Sequence, residues 1–154
     1  MGVSAKKIAK PAQATLSARV RRGDLLANDC PSRDVLKHVT SRWGVLVLMV
    51  LEMKPHRFAE LRRAVQGVSE RMLAQTLQWL EGDGLVQRIV HDVVPPHVEY
   101  RLTPLGREGA KRVRGLADWI EGNLYQVQAF QAEREDAQSE QRAVQGRAQV
   151  HRLR

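Results

Sequence analysis

The chain of 154 residues contains one cysteine, Cys30, so no disulfide can form within it. Its most apolar run, Val45 to Leu51, is seven residues long, far short of the ~20 that a membrane-crossing helix needs, and no membrane partner is expected. Residues 1–27 hold basic residues but no continuous apolar stretch of the kind a secretion signal requires, which predicts a cytoplasmic protein. The histidines, at 38, 56, 91, 97 and 151, show no short ligand spacing, and a lone thiol cannot complete a thiolate zinc site. Neither a metal nor a cofactor is expected. Gly82 and Gly84 follow a helical stretch instead of preceding one, so they do not form a phosphate-binding loop. No serine, histidine and acid fall in a recognisable catalytic frame either, and an enzyme is not expected.

What the chain does have is positive charge. A formal charge of +8 and an isoelectric point near 10.4 suggest a polyanionic partner. The excess is unevenly spread, with +5 in residues 1–27, +2 in residues 28–127 and +1 in residues 128–154. The centre is almost balanced, so nucleic-acid binding has to be argued from where its charges sit. At this length one domain with tails is expected. The divisions are a basic flexible arm over 1–27, a domain over 28–127 and a polar tail over 128–154 that is either a frayed helical extension or disordered.

Within the centre the apolar spacing predicts a mainly α fold with a small β-hairpin wing. A short helix from about Ser32 turns Val35, Leu36 and Val39 inward. Ser41 caps a second helix, apolar almost all round from Trp43 to Met53 and ended by Pro55. Phe58, Leu61 and Val65 mark a third over residues 57–65, closed by Gly67. Ser69 caps the next, in which Leu73, Leu77 and Leu80 share one side and Arg71, Gln75 and Gln78 the other at 100° per residue. Gly82 and Gly84 stop it. Val86 to Asp92 and Val98 to Thr103 read as strands joined at Pro95-Pro96, with Val93 to His97 as the tip. Thr103-Pro104 then opens a long helix that buries Leu105, Val113, Leu116, Ile120, Leu124 and Val127. Helix, turn, helix and hairpin in that order is the pattern of a winged helix-turn-helix, and an apolar stripe as long as that of the last helix needs a partner surface, most simply a second subunit.

Four segments resemble the HxlR family of bacterial transcriptional regulators: Cys30-Pro31; Ser41-Arg42-Trp43; Arg57-Phe58 through Arg62-Arg63; and Ser69 through Gly84-Leu85, followed by Val94-Pro95-Pro96-His97-Val98-Glu99-Tyr100-Arg101-Leu102-Thr103-Pro104-Leu105-Gly106. Together they span roughly residues 28–122. The resemblance implies a homodimer held by its first and last helices, binding an inverted-repeat operator in double-stranded DNA, commonly as a repressor. It also implies that a cysteine placed like Cys30 senses oxidants or electrophiles in some members. Trp79 stands where such proteins usually have a polar residue.

The candidate site residues follow from both readings. Arg71 and Gln75 are placed for base readout, Arg at guanine O6/N7 and Gln at adenine N6/N7, flanked by Ser69, Glu70, Ala74 and Gln78. Ser69 serves equally well as a cap alone. Arg42, Arg57, Arg62, Arg63, Arg88 and Arg101 are candidates for phosphate contacts. The wing tip has no Arg or Lys, so either His97 or the nearby Arg88 serves there or the wing merely rests on the DNA backbone. Cys30 is a candidate redox sensor, or else a small buried apolar residue. Leu116, Trp119, Ile120 and Leu124 are candidate dimer contacts, and Trp43, Trp79 and Trp119 fit core and dimer packing better than a ligand cage. The effector is not specified by the sequence. Two rival readings are a winged-helix protein-interaction module without a DNA role and a non-specific nucleic-acid binder driven by the basic arm.

Overall fold

A computed structural model describes residues 30–151. In chain order these form α1 (Pro31–Thr40), α2 (Arg42–Met53), β1 (His56–Arg57), α3 (Phe58–Ala64), α4 (Glu70–Gly82), β2 (Val86–His91), β3 (His97–Leu102) and α5 (Pro104–His151). The arm predicted over 1–27 lies outside the described residues.

The helix starts are fixed by short polar side chains. Ser41 Oγ accepts the Gly44 N–H at 3.0 Å and Ser69 Oγ accepts the Met72 N–H at 3.2 Å, each satisfying a donor that the first turn leaves without a partner. Gly84, at φ +73°, lets the chain leave α4 for β2 in the left-handed region. The third start is tied to the sheet. Thr103 Oγ1 accepts the Gly106 N–H at 2.9 Å and donates to the Gly84 carbonyl at 2.7 Å. Gly106 lies so close to the Leu85 carbonyl that a Cβ there would sit 1.8 Å from its oxygen. Only glycine fits.

The core is built from Val47, Leu48 and Leu51 of α2, Leu61 of α3, Leu73, Leu77 and Leu80 of α4, and Val86 and Leu102 at the root of the hairpin. The sheet has three antiparallel strands in the order β1-β3-β2, not the two of a plain hairpin. The additional strand pairs His56 with Tyr100 and Arg57 with Glu99. Two residues carry no periodicity, so β1 is created by its partner strand and not by its own sequence.

Three expectations need correction. In α1 no residue is buried: Val35 and Leu36 are exposed, and with Pro31, Ser32 and Val39 they line an open apolar groove. In α2 the apolar surface is not covered all round, since Leu46 and Met53 are exposed. The third concerns α5. Of the tryptophans, Trp43 and Trp79 are half-buried and Trp119 is 63% exposed in the single chain.

The chain divides into two units, the residues up to Ala110 and those from Lys111 onward. In the first, Leu105 is exposed and Ala110 buried. In the second, Val113 is buried, while Leu116, Trp119, Ile120, Leu124 and Val127 are exposed, as are Tyr125 and Phe130. The predicted stripe exists as a pattern, but the single chain does not bury it. The helix continues through the predicted tail as far as His151. Among the described residues no helix is long and apolar enough to cross a membrane.

Candidate nucleic-acid interface

The α4 helix has two chemically distinct sides. Leu73, Thr76, Leu77 and Leu80 are buried, whereas Arg71, Met72 and Gln78 are exposed and Ala74 and Gln75 half-buried. Thr76 is polar yet interior because its hydroxyl donates to the Met72 carbonyl at 2.7 Å, one turn back, which removes the cost of burying it. Ser69, at the cap, spends its hydroxyl on the Met72 N–H. The base-readout candidates therefore form an open surface centred on Arg71.

Beside that surface α3 presents Arg62 and Arg63, both exposed, which with Phe58, Ala59 and Glu70 line a shallow depression between the two helices. Arg62 Nη1 donates to Glu70 Oε1 at 2.5 Å. Glu70 thus holds an arginine across the turn instead of standing free. The start of α3 is fixed by Glu60, whose Oε2 accepts the Arg57 N–H at 2.7 Å. That hydrogen bond holds the Glu60 carboxyl below its ordinary value. At α2, the exposed Arg42 guanidinium lies over the Trp43 ring, 4.5 Å from its centroid.

The strands sort the remaining candidates by face. Paired residues in an antiparallel sheet share a face, and alternate residues point to opposite faces. The pairs Arg57–Glu99, Ile89–Glu99, Gln87–Arg101 and His91–His97 therefore place Arg57, Gln87, Ile89, His91, His97, Glu99 and Arg101 together. Opposite them lie His56, Val86, Arg88, Tyr100 and Leu102, three of which, His56, Val86 and Leu102, belong to the interior. Arg88 is exposed but on the other face from Arg101. Arg101 donates to Gln87 Oε1 from Nε at 3.1 Å and from Nη2 at 3.0 Å. On the same outer face His91 Nε2 meets Glu99 Oε2 at 2.8 Å, and the rings of His91 and His97 stack with centroids 4.7 Å apart.

A model of HxlR-like helix-turn-helix proteins matches residues 38–128, the span that holds every one of these elements from α2 to the first half of α5. The chain belongs to the HxlR-like family of transcriptional regulators. It is 59% identical over 122 residues to YtfH of Escherichia coli K12, an uncharacterised HTH-type transcriptional regulator, a match covering 79% of this chain and 97% of that one. Among solved structures it resembles the ytfH protein of Salmonella typhimurium, with 63% identity, a TM-score of 0.64 and coverage of 68% of this chain and 94% of that one. It also resembles the redox regulator HypR in its reduced form, at 33% identity and a TM-score of 0.59, covering 64% of this chain and 98% of that chain.

Ahead of the matched span, Cys30 is the N-cap of α1, before Pro31, and is buried at 7% exposure. Trp79 projects from α4 toward α1: its ring stacks on His38 at 5.0 Å between centroids, and His38 Nδ1 lies 2.8 Å from Asp83 Oδ2. The contribution of His38 and Asp83 was not foreseeable from either helix alone, since the two residues are 45 positions apart. Met72 and His91 were also missed. A strict alternation of paired strands would have found His91 once the pairing with His97 was known.

Proposed function

We propose that the chain is a sequence-specific DNA-binding regulator that acts as a homodimer on an inverted-repeat operator and represses by occluding the promoter. The carrying observation is the division of α4: one side is closed by Leu73, Leu77 and Leu80, and the other offers Arg71, Gln75 and Gln78 beside the exposed Arg62 and Arg63. Such a helix can enter a major groove and reach base edges, while neighbouring arginines engage phosphates and fix its position. Dimerisation through Leu116, Trp119, Ile120 and Leu124 would cover apolar side chains that are exposed in the single chain. The interaction-module reading is less well supported, because it leaves the polar side of α4 and the arginines of α3 without a task.

The test is binding to duplexes from the upstream region of the chain's own gene and to scrambled duplexes across a range of salt. Arg71→Ala is expected to cost ~1–3 kcal/mol on the specific duplex only. Arg62→Ala is expected to weaken both duplexes alike and to lower the salt slope by about one unit. Uniform loss in the Arg71 variant would overturn its assignment to base readout.

A redox response rests on a narrower observation, the placement of Cys30 at the N-cap of α1 in a chain resembling a redox regulator. With the parent protein on DNA, diamide is expected to release it, whereas Cys30→Ser is expected to stay bound; continued binding by the parent after its thiol is modified would make Cys30 structural.

A further inference from the structure

The wing tip is short of charge to offer a phosphate. Residues 92–96 read Asp-Val-Val-Pro-Pro, and all five are exposed. Moving back from that tip along both strands, the first side chains able to carry a positive charge are His91 and His97, which are paired directly across the strands. Their rings lie 4.7 Å apart with 22° between planes. The groups facing them can be named. From β3, Glu99 meets His91 at 2.8 Å. From the tip, the Pro95 carbonyl lies 3.4 Å from His97 Nδ1, and the Asp92 carboxylate is next in the chain. From β1, Arg57 stands opposite Glu99, and further along the same face Arg101 is engaged by Gln87.

We propose that the His91–His97 stack is a proton-dependent contact for the DNA phosphate backbone, so that each wing engages DNA fully only after taking up a proton from solvent. The inference rests on the DNA-binding reading above. Glu99 meets the His91 ring and His97 has only the Pro95 carbonyl, so an imidazolium at His91 is compensated and one at His97 beside it is not. Two like charges at this separation disfavour each other. Phosphodiester groups supply the missing negative charge, and binding and protonation of the second ring then favour one another. Imidazole ordinarily changes charge between pH 5 and 8. Because the complex holds more protons than the separate partners, affinity falls as the pH rises through that window.

The experiment measures binding of the full-length protein, by fluorescence anisotropy, to a duplex from its own upstream region and to a scrambled duplex at pH 6.0 and 8.0 and constant ionic strength. The parent is expected to bind both about ten-fold more weakly at pH 8.0, and the double variant H91Q/H97Q to change by no more than about two-fold. Ring-proton NMR of the parent supplies a readout independent of any variant: adding duplex at pH 7 is expected to move the His91 and His97 signals toward the imidazolium position. A parent that binds equally at both pH values, or whose rings stay neutral in the complex, overturns the proposal. So does a pH dependence that persists in H91Q/H97Q, since the proton then goes elsewhere, His38 and His56 included. If the parent binds neither duplex at either pH, the DNA-binding reading fails and this contact fails with it; binding without pH dependence removes only the contact.

Discussion

Two helices of this chain carry apolar stripes of similar legibility and opposite fates. In α4, Leu73, Leu77 and Leu80 are at most 2% exposed. In the part of α5 beyond Lys111, Leu116, Trp119, Ile120 and Leu124 are all exposed. The same 3.6-residue spacing produces both, and it states only that one side of a helix is apolar. Whether that side is covered depends on what the rest of the chain brings to it. The α4 stripe is closed within the first unit by residues of α2 and the root of β2; the α5 stripe is left exposed in the single chain, and dimerisation is the proposal that would cover it.

The sharpest test of this difference is to damage each stripe in turn. Leu77→Ala is expected to have the largest effect, lowering the unfolding free energy by ~2–5 kcal/mol in denaturant titration, because it leaves a cavity in a packed interior. Ile120→Glu is expected to leave the unfolding of the subunit nearly unchanged and to shift sedimentation from dimer toward monomer by about 2 kcal/mol of association free energy. If Ile120→Glu remains as dimeric as the parent, the stripe is not the interface; if it unfolds the subunit, the stripe is core and the comparison collapses.

The smallest effect is expected at the start of α3. Glu60 is held below its ordinary carboxyl value of 4.5 by the Arg57 N–H. A depressed value in the folded state means stability that is present above pH 4.5 and is lost as the pH falls through the folded value. Glu60→Gln should therefore lower the melting temperature slightly at neutral pH and flatten its decline on the acid side. Parallel acid limbs for parent and variant would show that the hydrogen bond contributes nothing to folding.

Much of this architecture was readable from the sequence because local rules and tertiary demands agree there. Ser41, Ser69 and Thr103-Pro104 mark helix starts that occur where expected, and Leu73, Leu77 and Leu80 reach the core that their spacing requires. What escaped was decided at a distance. The β1 strand exists because Tyr100 and Glu99 pair with it. Glu70 was expected among the base readers, and its contact with an arginine eight residues earlier was not foreseen. The stack of His91 on His97 depends on a strand register that no single strand carries. In α1 the apolar residues were read correctly as apolar and wrongly as covered.

The hydroxyl of Thr103 has a mechanical consequence. It joins the carbonyl of Gly84, in the turn after α4, to the amide of Gly106 in the first turn of α5, while Gly106 itself rests against Leu85 with no room for a methyl group. The two roots of the wing, β2 after Leu85 and β3 before Thr103, enter and leave at this same point. A joint so tightly tied has no slack to absorb a rotation. A torque applied to the opening turn of α5 would turn the wing with it as a single lever, and Thr103→Val would loosen that tie, leaving the backbone bond from the Thr103 N–H to the Leu85 carbonyl at 3.0 Å, without altering any residue proposed to contact DNA.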